Sequence, residues 1–236
     1  MNKPSPSRKS DVTSKLAYAD KRRNDVMEEL FAAKKEDRDP AFLIHAASDV
    51  MSVSRECFDY LGQDILEGYI LPNEPKTKKA HDAGKVKAYF PFHAPQLTNT
   101  KAVFHSLKTI APALYKELLE FTEAIQERKL IDKTLFNFHD FLSMKDMVNE
   151  KKHHKLLATV ANSNQELLIE KKGFALIMPF KKRKGLDTLT VSAGLLVKHV
   201  AEYRFAYNDK EVGYFCLFAV KASETIITRI YARHFA

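Results

Sequence analysis

The sequence predicts an α+β protein: a four-helix bundle, then a small antiparallel β-sheet, then a C-terminal helix. Three observations carry this. Apolar residues recur at helical spacing through the first two thirds of the chain. After Ala161 the texture changes to short β-rich runs broken by turns. Only 7 glycines and no tryptophan occur, and Ala, Leu, Glu and Lys dominate the long periodic stretches.

Taken in order, Pro, Ser, Lys and Arg in residues 1–10 read as a disordered terminus. A first helix spans about Val12 to Lys35, with Leu16, Ala19, Val26, Leu30 and Ala33 in register. Asp39-Pro40 signals the start of a second helix, the carboxylate capping and the proline in the first turn. It runs to about Tyr69 on an apolar face from Phe42 and Leu43 to Ile65. The opposite face carries His45, Ser48, Ser52, Arg55, Asp59 and Gln63. Residues 71–96 read as a long loop, with "YFPF" tucked against the helices. A third helical region, Thr100 to Lys129, can be kinked or split by Pro112. A fourth spans Asp132 to Ala161, with Leu135, Phe138, Leu142 and Leu156 on one stripe.

The runs "ELLIE", "FALIMPF", "DTLTVSA", "EYRFAYN" and "GYFCLFAV" read as strands, and Ser223 caps the closing helix "ETIITRIYARHF". The expected layout is residues 1–10 disordered, 11–161 bundle, and 162–236 a β-rich region packed on the bundle as one domain.

A chain of 236 residues is long enough for a real core, and 45% hydrophobic with 29% charged residues is ordinary for a globular protein. No apolar run reaches the ~20 residues needed to span a bilayer. The first residues lack the apolar core of a signal peptide, so a cytoplasmic location is expected. Cys57 and Cys216 sit in apolar surroundings without metal-ligand spacing. No phosphate-binding glycine loop, nucleophile elbow or His-Glu-x-x-His occurs, and no cofactor or metal is expected.

The formal charge is +8, which favours polyanionic partners. Glu74 to Lys101 holds six lysines against Glu74 and Asp82, and the second basic run ends in Lys181, Lys182, Arg183 and Lys184. Solubility and contact with nucleic acid are both open readings of these runs.

Two polar pairs stand out. Asn149 and His153 are four apart and continue the apolar stripe of the fourth helix, flanked by Lys145 and Lys152. Histidine titrates near neutrality and can move protons, while lysine and amide can hold a phosphate. Arg55 and Asp59 are the second pair. They are either an ordinary helix-surface ion pair or a phosphate-binding arginine with a carboxylate that orients His153.

Three motifs in order, "RECFDYL", "YFPF" and "NEKKHHKLL", resemble a group of uncharacterised bacterial and phage-borne helical proteins related to the HEPN superfamily. The resemblance spans residues 40–236. It implies a helical bundle, often dimeric, acting in RNA metabolism or in phage–bacterial conflict. Many such proteins are metal-independent ribonucleases with an Arg-polar-x-x-x-His element. Asn149 and His153 match that element, and Val148 stands where the family has arginine. In this reading His153 is the general acid/base, Asn149 positions the phosphate, and Arg55 with Lys152 stabilises its charge. RNA or a nucleotide is then the ligand and a homodimer the expected assembly. The competing reading is a non-catalytic interaction or scaffold protein, in which the same residues form a buried structural network.

Overall fold

A computed structural model describes residues 3–36, 38–153, 159–171, 174–179 and 196–236, with side chains described up to 149 and from 202. The chain is predominantly helical. Helix α1 covers Lys9–Glu36 and α2 covers Leu43–Ile65, the latter continuing into a π-helical turn, Leu66–Ile70. α1 starts earlier than its apolar periodicity suggests. Residues 7 and 8, assigned by composition to a disordered stretch, are in fact bonded to α2. Ser7 Oγ and Arg8 Nη1 donate to the buried Asp64 carboxylate at 3.0 and 3.1 Å, and Arg8 also pairs with Glu67 at 2.7 Å. Tyr231 Oη completes the Asp64 shell at 2.9 Å. Arg8 holds the Glu67 carboxyl below its usual range.

Asp39 does not cap α2. The residue before the helix is Phe42, in the left-handed region (φ 53°). The nearby Ala41 N–H donates instead to Glu29 on α1, 2.5 Å away, and Glu29 also takes Arg38 at 2.7 Å.

The expected loop of residues 71–96 contains the short helix α3 (Pro75–Asp82) and runs into a second, α4 (Pro95–Thr98). Pro112 does split the next region. A 3₁₀ turn, Val103–Ser106, and the single turn α5 (Leu107–Ile110) precede α6 (Pro112–Gln126). Helix α7 is Asp140–His153, shorter at both ends than its periodicity indicated.

Beyond α7, β1 (Thr159–Lys171), β2 (Phe174–Pro179) and β3 (Leu196–Phe205) pair antiparallel in the order β2-β1-β3. Thr159 to Ala161 are therefore strand, not the end of a helix. "DTLTVSA" lies outside the described residues. "GYFCLFAV" is helical and belongs to α8, Val212–His234, which Glu211 caps by accepting from the Gly213 and Tyr214 N–H groups. Ser223 lies buried inside that helix. A short apolar run cannot distinguish a buried strand from a buried helix by periodicity. The correct start signal here was a glutamate.

α8 is thus a core element. It packs against α1 and α2, while α7 packs on α2. Glu117 of α6 fastens the end of α8 through Arg229 (2.9 Å) and His234 (2.8 Å). Both cysteines are buried and free, and burial pushes the Cys57 thiol up to about 12, so neither is a nucleophile.

The core centres on Phe58 of α2. Its ring lies 4.9 Å from Phe90, 5.2 Å from Phe92, 5.3 Å from Phe141 of α7 and 6.4 Å from Phe121 of α6. Pairs at these distances contribute about 0.5–1.5 kcal/mol each beyond their burial. Gly62 lets the Phe90 segment approach: a Cβ there would sit 2.9 Å from the Phe90 backbone nitrogen. Gly62→Ala should therefore lower stability by ~1–3 kcal/mol by forcing that backbone off α2. Urea unfolding measures this, and an unchanged midpoint with unchanged slope would contradict the close approach.

Candidate functional site

The second half of the polar face of α2, Arg55 to Gln63, is roofed, while His45 at its start is exposed. Residues 88–92 lie across it, held by Gln63 Nε2 donating to the Ala88 carbonyl at 2.9 Å. Arg55 is only 8% exposed. Its Nη1 donates to Asp59 Oδ1 at 2.5 Å, and its Cζ stands 4.8 Å from the Phe92 ring centroid. The arginine is thus sandwiched between a carboxylate and an aromatic face, a stronger setting than a solvated helix pair. Its Nε is buried and has no partner among the described residues.

His93 follows Phe92 directly and is exposed. Gln96 Oε1 accepts from the N–H groups of both Phe92 and His93 at 3.0 Å, which fixes the turn that presents the imidazole. Lys145 of α7 reaches His93 Nε2 at 2.8 Å. An ammonium can only donate, so Nε2 accepts and the ring is neutral. Desolvation first, then the Lys145 charge, lowers the His93 pKa below its ordinary value of 6.5.

Sequence reasoning missed His93. The signal for it was local: a histidine ending the "YFPF" element, three residues before a glutamine that can bridge both turn amides.

Helix α7 carries the other expected residues in a different phase. Its buried positions are Asp140, Phe141, Met144, Met147 and Val148, whereas Asn149 is exposed. The inward stripe therefore runs Phe141, Met144, Val148, about 100° away from the one drawn through Phe138, Leu142 and Asn149. The reason is Phe138. It precedes the helix, in a turn closed by its N–H to the Lys129 carbonyl, and cannot set the helical phase. Val148, standing where the resembling family has arginine, is 3% exposed and part of the core.

The outer face of α7 carries Lys145 and Asn149. The side chains of Lys152 and His153 lie outside the described residues, as do Lys181, Lys182, Arg183 and Lys184 entirely. The far side of α7 is held by Lys210 Nζ, 2.8 Å from the buried Asp140 carboxylate, and by Asn208 Nδ2 on Met147 Sδ at 3.0 Å.

The structure thus brings Arg55, Asp59, Phe92, His93 and Lys145 to one junction, where α2, the 88–93 segment and α7 meet. Phe141 lies 6.4 Å from Phe92, and Lys145 is one turn further along the same helix. The junction holds the Lys145 ammonium and the neutral His93 imidazole at its edge and, buried beneath Phe92, the Arg55 guanidinium with a spare donor. Among the described residues no group of His, Cys, Asp or Glu could hold a metal ion, and no helix is long and apolar enough to cross a membrane. A separate pocket of about 380 Å³, lined by Lys3, Tyr69, Pro112 and His234 among others, shares no residue with this junction.

The sign of the His93 shift gives a pH dependence. Because the folded form is the harder to protonate, the stability His93 contributes is present above 6.5 and falls as pH drops toward its lowered value. Removing the Lys145 charge by Lys145→Ala should raise the His93 pKa partway back, with the desolvation part remaining. An NMR titration of the imidazole checks this. An unmoved midpoint would show that the Lys145–His93 contact does not form in solution.

The chain matches no family model, and no curated protein or solved structure matches it.

Proposed function

We propose that the protein binds RNA through its phosphates at the junction of α2, the 88–93 segment and α7. The observation that carries this reading is the 2.8 Å Lys145–His93 contact beside a buried Arg55 whose Nε is unpartnered. A buried guanidinium nitrogen without a partner costs ~1–3 kcal/mol, and a phosphate oxygen that displaced the Phe92 cover would relieve it. Lys145, whose Nζ lies 2.8 Å from His93 and 3.7 Å from the Asp146 carboxylate, supplies a point charge, and Asn149, exposed one turn away, supplies an amide that can fix the phosphate's orientation. The exposure of Asn149 favours this over a buried structural network, since a solvent-facing amide needs no internal partner. The formal charge of +8 adds a long-range attraction for polyanions.

The HEPN-like reading extends this to a bundle acting in RNA metabolism or phage–bacterial conflict, as a homodimer. The chemistry it adds is metal-independent cleavage. The RNA 2′-oxygen bonds to the adjacent phosphorus as the bond to the 5′-oxygen breaks, giving a 2′,3′-cyclic phosphate and a 5′-hydroxyl; His153 takes the 2′-hydroxyl proton and returns one to the leaving 5′-oxygen, while Asn149 positions the phosphate and Arg55 with Lys152 stabilises its charge. Core Val148 stands where the family has arginine, so Lys145 joins Arg55 and Lys152 in stabilising the phosphate.

One titration tests binding and cleavage separately. A fluorescein-labelled oligouridylate of about a dozen nucleotides is followed by anisotropy and then run on a denaturing gel. Lys145→Ala should weaken binding several-fold and reduce the slope of log K against log salt by about 0.7. His153→Ala should abolish any cleavage while leaving most of the binding. No binding by the unaltered protein at low salt would remove the RNA reading and leave the scaffold reading. Binding with intact RNA would remove only the ribonuclease chemistry.

A further inference from the structure

Between α3 and the aromatic anchor the chain runs without helix, and exposure alternates residue by residue. Lys85, Lys87 and Tyr89 are exposed, while Val86 is half-buried and Ala88 and Phe90 are buried. That period of two is the mark of extended chain lying on a surface. The inner row is fastened to α2 through the Ala88 carbonyl and the Phe90 ring. The outer row's side chains are unengaged: among the described residues those of Lys85, Lys87 and Tyr89 have no hydrogen-bond or ion-pair partner, while the Lys85 backbone N–H donates to the Ala80 carbonyl at 2.9 Å. Tyr89 is 54% exposed, unusual for a ring one residue from the aromatic centre of the core. The alternation ends at the buried pair Pro91 and Phe92, and His93, the next exposed residue, meets Lys145.

We propose that Lys85, Lys87 and Tyr89 form a track for single-stranded RNA that leads into the Lys145–His93 junction, a proposal that rests on the RNA-binding reading above. Extended chain rises about 3.3 Å per residue, so Lys85 and Lys87 stand about 6.6 Å apart on one side. That is close to the separation of successive phosphates in an extended strand. Tyr89 is the next outward residue and offers a ring face for one base. An ordered row of cations followed by an aromatic platform is the general means of holding single strands without reading sequence. A duplex has its bases stacked internally and offers Tyr89 nothing, and a mononucleotide cannot span from Lys85 to Lys145. The ligand class is therefore a single strand of several nucleotides.

The test uses the full chain and three probes: a labelled oligouridylate, the same strand annealed to oligoadenylate, and uridine monophosphate as competitor. The oligouridylate should bind at least ten-fold more tightly than either of the others. Tyr89→Ala should weaken it roughly ten-fold, with Tyr89→Phe close to the unaltered protein because the ring remains. Lys85→Ala and Lys87→Ala should each reduce the salt slope by about 0.7. Equal affinity for strand and duplex would overturn the track. So would Tyr89→Ala and Lys87→Ala binding normally while Lys145→Ala does not, and that result would leave the junction intact as the RNA site. Loss of all RNA binding by the unaltered protein would instead end the underlying reading and the track with it.

Discussion

Everything at the candidate site depends on the packing of Phe90 and Phe92 against Phe58. Those three rings, with Phe121 and Phe141, join α2, α6 and α7 through one cluster. The residues between them have no freedom to move independently. Gly62 permits the contact because any side chain there would meet the Phe90 backbone. Once Phe92 is seated, Arg55 is covered and His93 is delivered to the edge of the cluster. Lys145 arrives on α7 because Phe141, one turn earlier, is locked into the same core. The polar constellation is therefore positioned by apolar packing.

The arrangement also explains why a buried arginine is tolerated. Desolvating a guanidinium is costly unless its charge and donors are met. Asp59 meets the charge and one donor, and the Phe92 face meets the rest of the ion from above. Nε is left over. At the adjoining residue, Lys145 and the neutral His93 ring hold each other, and under the proposed reading an incoming phosphate replaces that contact, Lys145 exchanging a neutral acceptor for a charged one. The site is thus assembled without ligand but not fully satisfied.

Much of this was legible in the sequence. The helical register of α1 and α2 followed from their apolar spacing, the Pro112 break from the proline itself, and the Arg55–Asp59 pair from its spacing of four. What could not be read came from interactions distant in sequence. Glu29 displaced Asp39 as the partner of the α2 entry because α1 folds back beside it. The run "GYFCLFAV" is apolar on all sides, so no periodicity separated strand from helix. The phase of α7 was misjudged by one position because Phe138 belongs to a turn, which placed Asn149 inward instead of outward. His93 was invisible as a functional residue because its partner Lys145 lies 52 residues away.

The claim that the aromatic anchor builds a phosphate site is tested most directly by an NMR titration of the protein with single-stranded oligouridylate, observing the arginine Nε–H, imidazole and amide resonances together. The account predicts that the Arg55 Nε–H shifts strongly downfield as it gains an acceptor. His93 and the amides around Lys145 and Asn149 should move on the same binding curve. Saturable binding with these resonances unmoved, and shifts confined to positions 181–184 or another face, would contradict it.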